Sequence, residues 1–240
     1  MQEQPGAGEI GRILEEQADY YEARAAEYED CYLRRGRYDH GPEQNDRWFA
    51  ETARLEAAVD RFDASGTVLE LACGTGLWTR FLAPRAQRLV AVDSSTNVIE
   101  LNRSRYGGPN VEYRQADIFE WAPPAGERFD AIFFGFFISH IPPPLFAGFW
   151  RDLERWLAPG GSVFFCDDAA GSDRPFSGQR IEDAPDFALR RRLTDGREFT
   201  IVKIFYEAEE LTDALNALGW DADVSTTGAL FMHGTASQKV

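Results

Sequence analysis

From Gly66 to Asp168 the chain alternates strand-like runs with amphipathic stretches of helical period, and this alternation limits the fold more than any other feature. The strand-like runs read GTVLELA, RLVAVDSS, VEYRQAD, RFDAIFFGFFI and GSVFFCDD, with LWTRFLAPRA, TNVIELNRSRY and PPLFAGFWRDLERWLA between them. Short, mostly apolar runs of this kind suit strands covered on both faces, the setting of a parallel sheet. Parallel neighbours need a crossover, and an intervening helix supplies a right-handed one. The pattern predicts an α/β fold in three layers, helix on sheet on helix.

Two flanking regions read differently. Over 9–35, Ile10, Ile13, Leu14, Ala18, Tyr21, Ala25, Tyr28 and Tyr32 recur at three- and four-residue spacing among Glu and Arg, which predicts one amphipathic helix. RRGRYDHGPEQ breaks it, and a second helix is expected over 43–62 with Trp48, Phe49, Leu55 and Val59 on its apolar side. Beyond Asp168 comes a polar loop, AAGSDRPFSGQRIEDAP. Two alternating runs then flank Asp195-Gly196, a strong hairpin signal. The chain closes with a helix, EAEELTDALNALGW, and one last strand, ADVSTTGALFMHGTA.

Composition removes several classes of function. With 240 residues, 44% of them hydrophobic, the chain can fill the core of one large domain. A net charge of -15 opposes a phosphate backbone, so no nucleic-acid partner is expected. No run of 18 apolar residues exists, so no membrane span is expected, and the polar, acidic N-terminus does not read as a signal peptide. Cys31, Cys73 and Cys166 are odd in number and far apart, which points to a reducing cytoplasm and away from disulfides. Isolated His40, His140 and His233, with no C-x-x-C spacing, predict no metal site.

Open α/β sheets bind ligands beyond the carboxyl ends of their strands, so the first strand-to-helix turn is the place to look. That turn reads ELACGTG, with Gly74 and Gly76. A dinucleotide fingerprint would need a third glycine at position 79, where Thr79 stands, and the Gly-Lys-Ser/Thr of a phosphate loop is absent. A glycine pair behind which an acidic Glu70 sits suits a cationic ligand with an amino-acid portion better than a pyrophosphate. Asp93, at the end of the second strand, can accept both hydrogen bonds of a ribose diol. Asp117, at the end of the third, is placed to accept from a purine amine, with Ile118 and Phe119 against the ring.

Taken in order, VLELACGTG, VAVDSS, ADIFE, FDAIFFGFFISHIP and LERWLAPGGSVFFCDD resemble the seven-stranded, Rossmann-like methyltransferases that use S-adenosylmethionine, over roughly residues 45–230. The resemblance implies strand order 3-2-1-4-5-7-6, mostly parallel with an antiparallel C-terminal strand. It implies S-adenosylmethionine as cofactor, held by Glu70, Ala72, Gly74 and Gly76 around the methionine part, Asp93 and Ser94 at the ribose, and Asp117 and Ile118 at adenine. Ala72 departs from the pattern, which usually has glycine there. Residues 1–45 would form an N-terminal helical lid over a methyltransferase domain of 46–240, with Tyr28 and Phe136 also touching the cofactor.

On the acceptor side, the family places His140, in FISHIPPP, beside the methyl group, where an imidazole can act as a base, with Tyr21 of the lid as a second catalytic candidate. Phe133, Phe134, Phe136 and Phe137 put two aromatic residues on each face of one strand. Tyr20, Trp48, Phe137 and Arg191 are the candidate acceptor contacts. Arg190, Arg191 and Arg192 alternate faces of a strand and are expected to guard a solvated edge, with Lys203 and Tyr206 on the partner strand open to the same reading. The expected function is methyl transfer to the oxygen, nitrogen or ring carbon of a small, preferably aromatic acceptor such as a phenol or indole, in specialised metabolism in the cytoplasm, with a homodimer as candidate assembly. The rival readings are a nicotinamide oxidoreductase and a non-catalytic nucleoside-binding protein.

Overall fold

The computed structural model describes residues 6–171, 179–181 and 184–239. Its strands are β1 (Thr67–Leu71), β2 (Arg88–Asp93), β3 (Val111–Gln115), β4 (Phe129–Gly135), β5 (Leu157–Asp168), β6 (Gln179–Arg180), β7 (Ala188–Arg192), β8 (Glu198–Val202), β9 (Trp220–Thr226) and β10 (Phe231–Gln238). Its helices are α1 (Ala7–Arg24), α2 (Tyr28–Tyr32), α3 (Pro42–Arg61), α4 (Thr79–Leu82), α5 (Thr96–Tyr106), α6 (Pro143–Trp156) and α7 (Ala208–Ala217). Seven strands form one sheet in the order β3-β2-β1-β4-β5-β10-β9. β1 to β5 pair in parallel, and β10 runs antiparallel to both neighbours. This is the order and direction that the family resemblance implies.

The apolar runs are buried because both faces of the sheet are covered. Leu69, Leu71, Phe134 and Phe165 pack under Trp150 and Leu153 of α6. Val68, Phe133 and Phe164 face Leu55 and Val59 of α3 on the other side. Phe133 stacks on Phe164 with ring centroids 5.6 Å apart, and Phe134 on Phe165 at 5.7 Å. Alternation thus splits the adjacent residues Phe133-Phe134 and Phe164-Phe165 between the two cores, and each stacked pair lies within one of them.

Three differences from the expected elements have identifiable causes. The helix expected over 9–35 is interrupted by a 3-10 turn at Ala25–Glu27. Its two halves cover different surfaces: Ile13 and Tyr20 of α1 pack with residues of β7 and β8, while Tyr32 of α2 packs with Trp48. The expected last strand is a pair, β9 and β10, reversed at Thr227–Leu230. Glu51 of α3 holds that reversal, accepting from the Thr227 hydroxyl at 2.9 Å and from the Ala229 and Leu230 amides at 3.2 and 2.9 Å. The Asp195-Gly196 hairpin forms, but in a separate three-stranded sheet of order β6-β7-β8.

The small sheet lies against α1, which satisfies its outer edge. Glu16 accepts from the Thr200 amide at 2.6 Å and Gln17 from the Val202 amide at 3.0 Å. Paired on one side and capped on the other, β8 has no open edge there. Much of the expected polar loop, 172–178 with 182–183, lies outside the described residues.

Candidate active site

The carboxyl ends of β1 to β4 enclose a cavity of about 130 Å³. Its floor is the ELACGTG turn, where Ala72, Gly74 and Gly76 have φ of 52°, 51° and 97°. A left-handed conformation costs an alanine roughly 1 kcal/mol, so Ala72 holds this turn under strain. Asp93, at the end of β2, accepts from the Gly74 amide at 2.9 Å and the Ser95 amide at 3.0 Å, which aims its carboxylate across the turn. The N-cap of α5 is Ser95, which accepts from the Val98 amide at 3.2 Å. Burial pushes the Asp93 carboxyl up, against the pull of its amide donors. Ser94, Asp117 and Ile118 complete this side.

Glu70 lies behind the turn, 1% exposed. One oxygen accepts from the Thr79 hydroxyl at 2.7 Å, and Thr79 in turn accepts from Asn102 at 2.8 Å. The other oxygen is buried with no hydrogen-bond partner among the described residues. Burial pushes the carboxyl up to about 8, with Asp93 adding to the effect and Thr79 opposing it. Thr75, in the cavity wall, also has a buried hydroxyl without a partner among the described residues. Two raised carboxylates and an orphaned oxygen at one turn fit a ligand that brings positive charge and donors. Those are the features of the sulfonium and ammonium of S-adenosylmethionine.

Tyr21 and Tyr28, together with Gln17 and Ala18 of α1, roof the cavity. On the far side of Tyr21, Tyr28, Phe136 and His140 opens a second cavity of about 410 Å³, and these four residues line both. Phe136 has φ of 56°, a strained conformation in the wall between the two chambers. His140, 5% exposed, donates Nδ1–H to the Val202 carbonyl at 2.6 Å and accepts from the Tyr21 hydroxyl at Nε2, 2.7 Å away. Burial holds His140 well below the ordinary imidazole range, reinforced by Lys203. Desolvation holds the Tyr21 phenol well above its own ordinary value.

The larger chamber is basic. Arg24, Arg34, Arg37, Arg190, Arg191, Arg192 and Lys203 line it against two carboxylates, Asp168 and Glu198. Lys203, 3% exposed at its side chain, uses its donors on Ser139 at 2.7 Å, Asp167 at 3.1 Å and Asp168 at 3.0 Å. Glu198 lies 3.9 Å from Arg190 and 3.7 Å from Arg192. Arg24 lies over the rings of Tyr20 and Tyr28, 5.6 and 5.2 Å from their centroids, with its Nε buried and without a hydrogen-bond partner among the described residues.

A protein-family model described as a methyltransferase domain matches residues 68–161. The solved DhpI–SAM–HEP complex is 37% identical to this chain, covers 98% of it and 100% of the DhpI chain, and superposes with a TM-score of 0.75. The chain belongs to the S-adenosylmethionine-dependent methyltransferases. A demethylmenaquinone methyltransferase of Clavibacter sepedonicus is 33% identical over 50% of this chain. A trans-aconitate 2-methyltransferase of Azoarcus is 39% identical over 41%. The chain spans 46% and 38% of those two relatives.

In this methyltransferase the residues expected to hold the cofactor fall into two groups. Tyr28, Ala72, Gly74, Asp93, Ser94, Asp117, Ile118 and Phe136 line the smaller chamber. Glu70 and Gly76 stand behind it; a Cβ on Gly76 would lie 2.4 Å from the Tyr106 ring, so this glycine serves the close approach of α5 to the turn. Of the expected acceptor contacts, Tyr20, Trp48 and Arg191 line the basic chamber, while Phe137 lines the cofactor side. The expectation of a solvated edge at Arg190, Arg191 and Arg192 holds for the solvation of Arg190 and Arg192, whose side chains are 49% and 71% exposed, and fails for the edge. β7 is the middle strand of its sheet, and all three side chains reach the chamber. Lys203 and Tyr206 do not share that exposure: Lys203 is ion-paired in the interior, and the half-buried Tyr206 ring lies tilted against Phe146 with centroids 6.0 Å apart. Arg24, Thr79 and Asn102 escaped the sequence reading. Only Thr79 left a signal, a hydroxyl where a third glycine would otherwise stand.

Among the described residues no group of three His, Cys, Asp or Glu is arranged to hold a metal ion. No helix among them is long and apolar enough to cross a membrane.

Proposed function

We propose that the methyltransferase acts on a small acceptor that carries a carboxylate or phosphoryl oxyanion, and that this ionised oxygen receives the methyl group. The observation that carries the reading is the lining of the larger chamber, seven cationic side chains against two carboxylates in a chain of net charge -15, with Asp167 and Glu27 outside the lining pairing Lys203 and Arg37. Guanidinium forks match planar and tetrahedral oxyanions, and Arg24 and Arg191 have no ion-pair partner among the described residues. S-adenosylmethionine supplies an electrophilic methyl group on a sulfonium.

The chain's own residues would align the nucleophile. Glu70, Thr75 and the Ala72–Gly76 turn serve the amino-acid end of the cofactor, Asp93 its ribose and Asp117 its base. α1 acts as the lid, and Phe136 and Tyr21 form the boundary across which cofactor and acceptor face each other. An oxyanion is already a nucleophile, so alignment is the main task and no base is required. This agrees with a His140 whose lone pair is committed to Tyr21. The DhpI complex, which contains SAM and HEP together, supplies a precedent for a related chain of the same length with two ligands. A neutral aromatic acceptor would meet the rings of Tyr20, Trp48 and Phe136 in the same chamber but would leave the Arg24 and Arg191 guanidinium groups without a counter-charge.

Methyl transfer from labelled S-adenosylmethionine to a panel of phosphonates, carboxylates, phenols and indoles tests the reading. Anions are expected to be methylated and neutral phenols and indoles to be inert. Arg24→Gln and Arg191→Gln should each weaken the anion by about tenfold or more, as a charge-assisted bond is lost. Preference for neutral acceptors, or indifference to both substitutions, would refute it.

A further inference from the structure

Three separate parts of the fold meet at one imidazole. His140 lies on the 3-10 turn after β4, Val202 ends β8, and Tyr21 belongs to α1. A carbonyl only accepts, so the 2.6 Å contact with Val202 places the imidazole proton on Nδ1 and leaves the lone pair on Nε2 for the Tyr21 hydroxyl. Lys203 and Arg191 oppose an imidazolium here, while Asp168 and the Val202 carbonyl favour one. The phenol so fixed is part of the wall common to both chambers.

α1 is tied to its neighbours at other points as well. Glu22 receives donors from Ser95 and Asn97, next to Asp93 of the cofactor chamber. Glu16 and Gln17 bind the backbone of β8, whose partner strand β7 carries the arginines of the basic chamber. Gln17 ties α1 to the same two places through their backbone, donating Nε2 to the His140 carbonyl at 3.4 Å while accepting from the Val202 amide at 3.0 Å; the Tyr21–His140–Val202 chain differs in running through two residues that line both chambers.

We propose that Tyr21 and His140 are a positioning pair through which the two chambers bind their ligands interdependently. The inference rests on the two-ligand reading above and deepens it. Fixing the phenol requires α1, β8 and the β4 turn to be in register, a loss of freedom borne once. Whichever ligand arrives first orders the wall, and the second finds it in place. Linkage makes the effect reciprocal: cofactor must tighten acceptor by the same factor that acceptor tightens cofactor.

Calorimetry on the full chain, with S-adenosylhomocysteine and methylphosphonate each titrated alone and in the presence of the other, measures that factor. The wild-type chain is expected to show about fivefold or more in both directions. His140→Phe and Tyr21→Phe should bring the factor close to one, read as the ratio of S-adenosylhomocysteine affinities with and without methylphosphonate in each variant. His140→Gln should restore it, since an amide can donate to Val202 and accept from Tyr21. A wild-type factor of one, or a factor undiminished in both phenylalanine variants, overturns the proposal. Nitrogen-15 NMR of the protein with S-adenosylhomocysteine bound gives an independent reading: the Nδ1–H tautomer with no titration near 6.5 is expected, and the other tautomer or ordinary titration overturns the pair. Methylphosphonate that fails to bind in any state would refute the anionic acceptor instead, with the NMR result still deciding the fate of the pair.

Discussion

Replacing Glu70 with glutamine should make the unliganded methyltransferase less sensitive to rising pH. In the folded chain this carboxyl is pushed from 4.5 up to about 8 by burial. An unfolded chain gives up the proton near 4.5, so between 4.5 and 8 the folded state holds one proton more than the unfolded state. Stability must then fall as pH rises through that window, and the group adds no slope above or below it. At about 1.4 kcal/mol per pH unit the window from 4.5 to about 8 amounts to ~5 kcal/mol. Glutamine keeps an oxygen for Thr79 but has no proton to lose, so its stability lacks this decline. Urea unfolding of both chains without ligand, at pH 5, 6, 7 and 8, is the assay. The stability difference between variant and wild type should shift steadily in favour of the variant with increasing pH. A difference constant across that range would show that the Glu70 carboxyl ionises alike in the folded and unfolded states, and the argument from burial would fall. The same substitution should weaken S-adenosylhomocysteine, because a carboxylate near its ammonium is lost.

Two further substitutions test other parts of the site. Asp93→Ala removes the carboxylate that receives the Gly74 and Ser95 amides and faces the ribose position; S-adenosylhomocysteine affinity by calorimetry should fall by ~1.5–3 kcal/mol, and unchanged affinity would take Asp93 out of the site. Lys203→Met leaves Asp167 and Asp168 buried without their cation. This should cost about 3–5 kcal/mol and lower the Tm by roughly 10 °C in a scanning experiment, and a Tm left in place would mean the cation is dispensable.

The parts of this fold written in local pattern were legible. β1, β2, β4 and β5 announce themselves as apolar runs because both their faces are covered, and Asp93 and Asp117 as carboxylates at strand ends. What local pattern misses is what depends on partners far along the chain. The reversal between β9 and β10 is held by Glu51, some 176 residues away from Thr227. No propensity in STTGALF reports a carboxylate lying beneath it. The break at Ala25 likewise reflects two surfaces that one straight helix could not cover. The cofactor turn was readable because its residues are contiguous. The basic chamber was not, because residues 24, 34, 37, 190–192 and 203 converge only through the packing of α1 and the small sheet. Alternation along β7 argued against a patch, and reach of the arginine side chains made one.

The basic chamber lies inside a strongly acidic protein, and the two signs act at different distances. An anion arriving from solution first meets the far field of a chain of charge -15 and feels the guanidinium groups only within a Debye length of the mouth, about 8 Å at physiological salt. The protein therefore presents such a molecule with a barrier before a well. Added salt lowers the barrier and the well together, so it hastens capture while shortening residence. The exterior field weighs differently on anions of different size: a small one crosses it in a single step to the chamber, while an extended one would lie within it along its whole length.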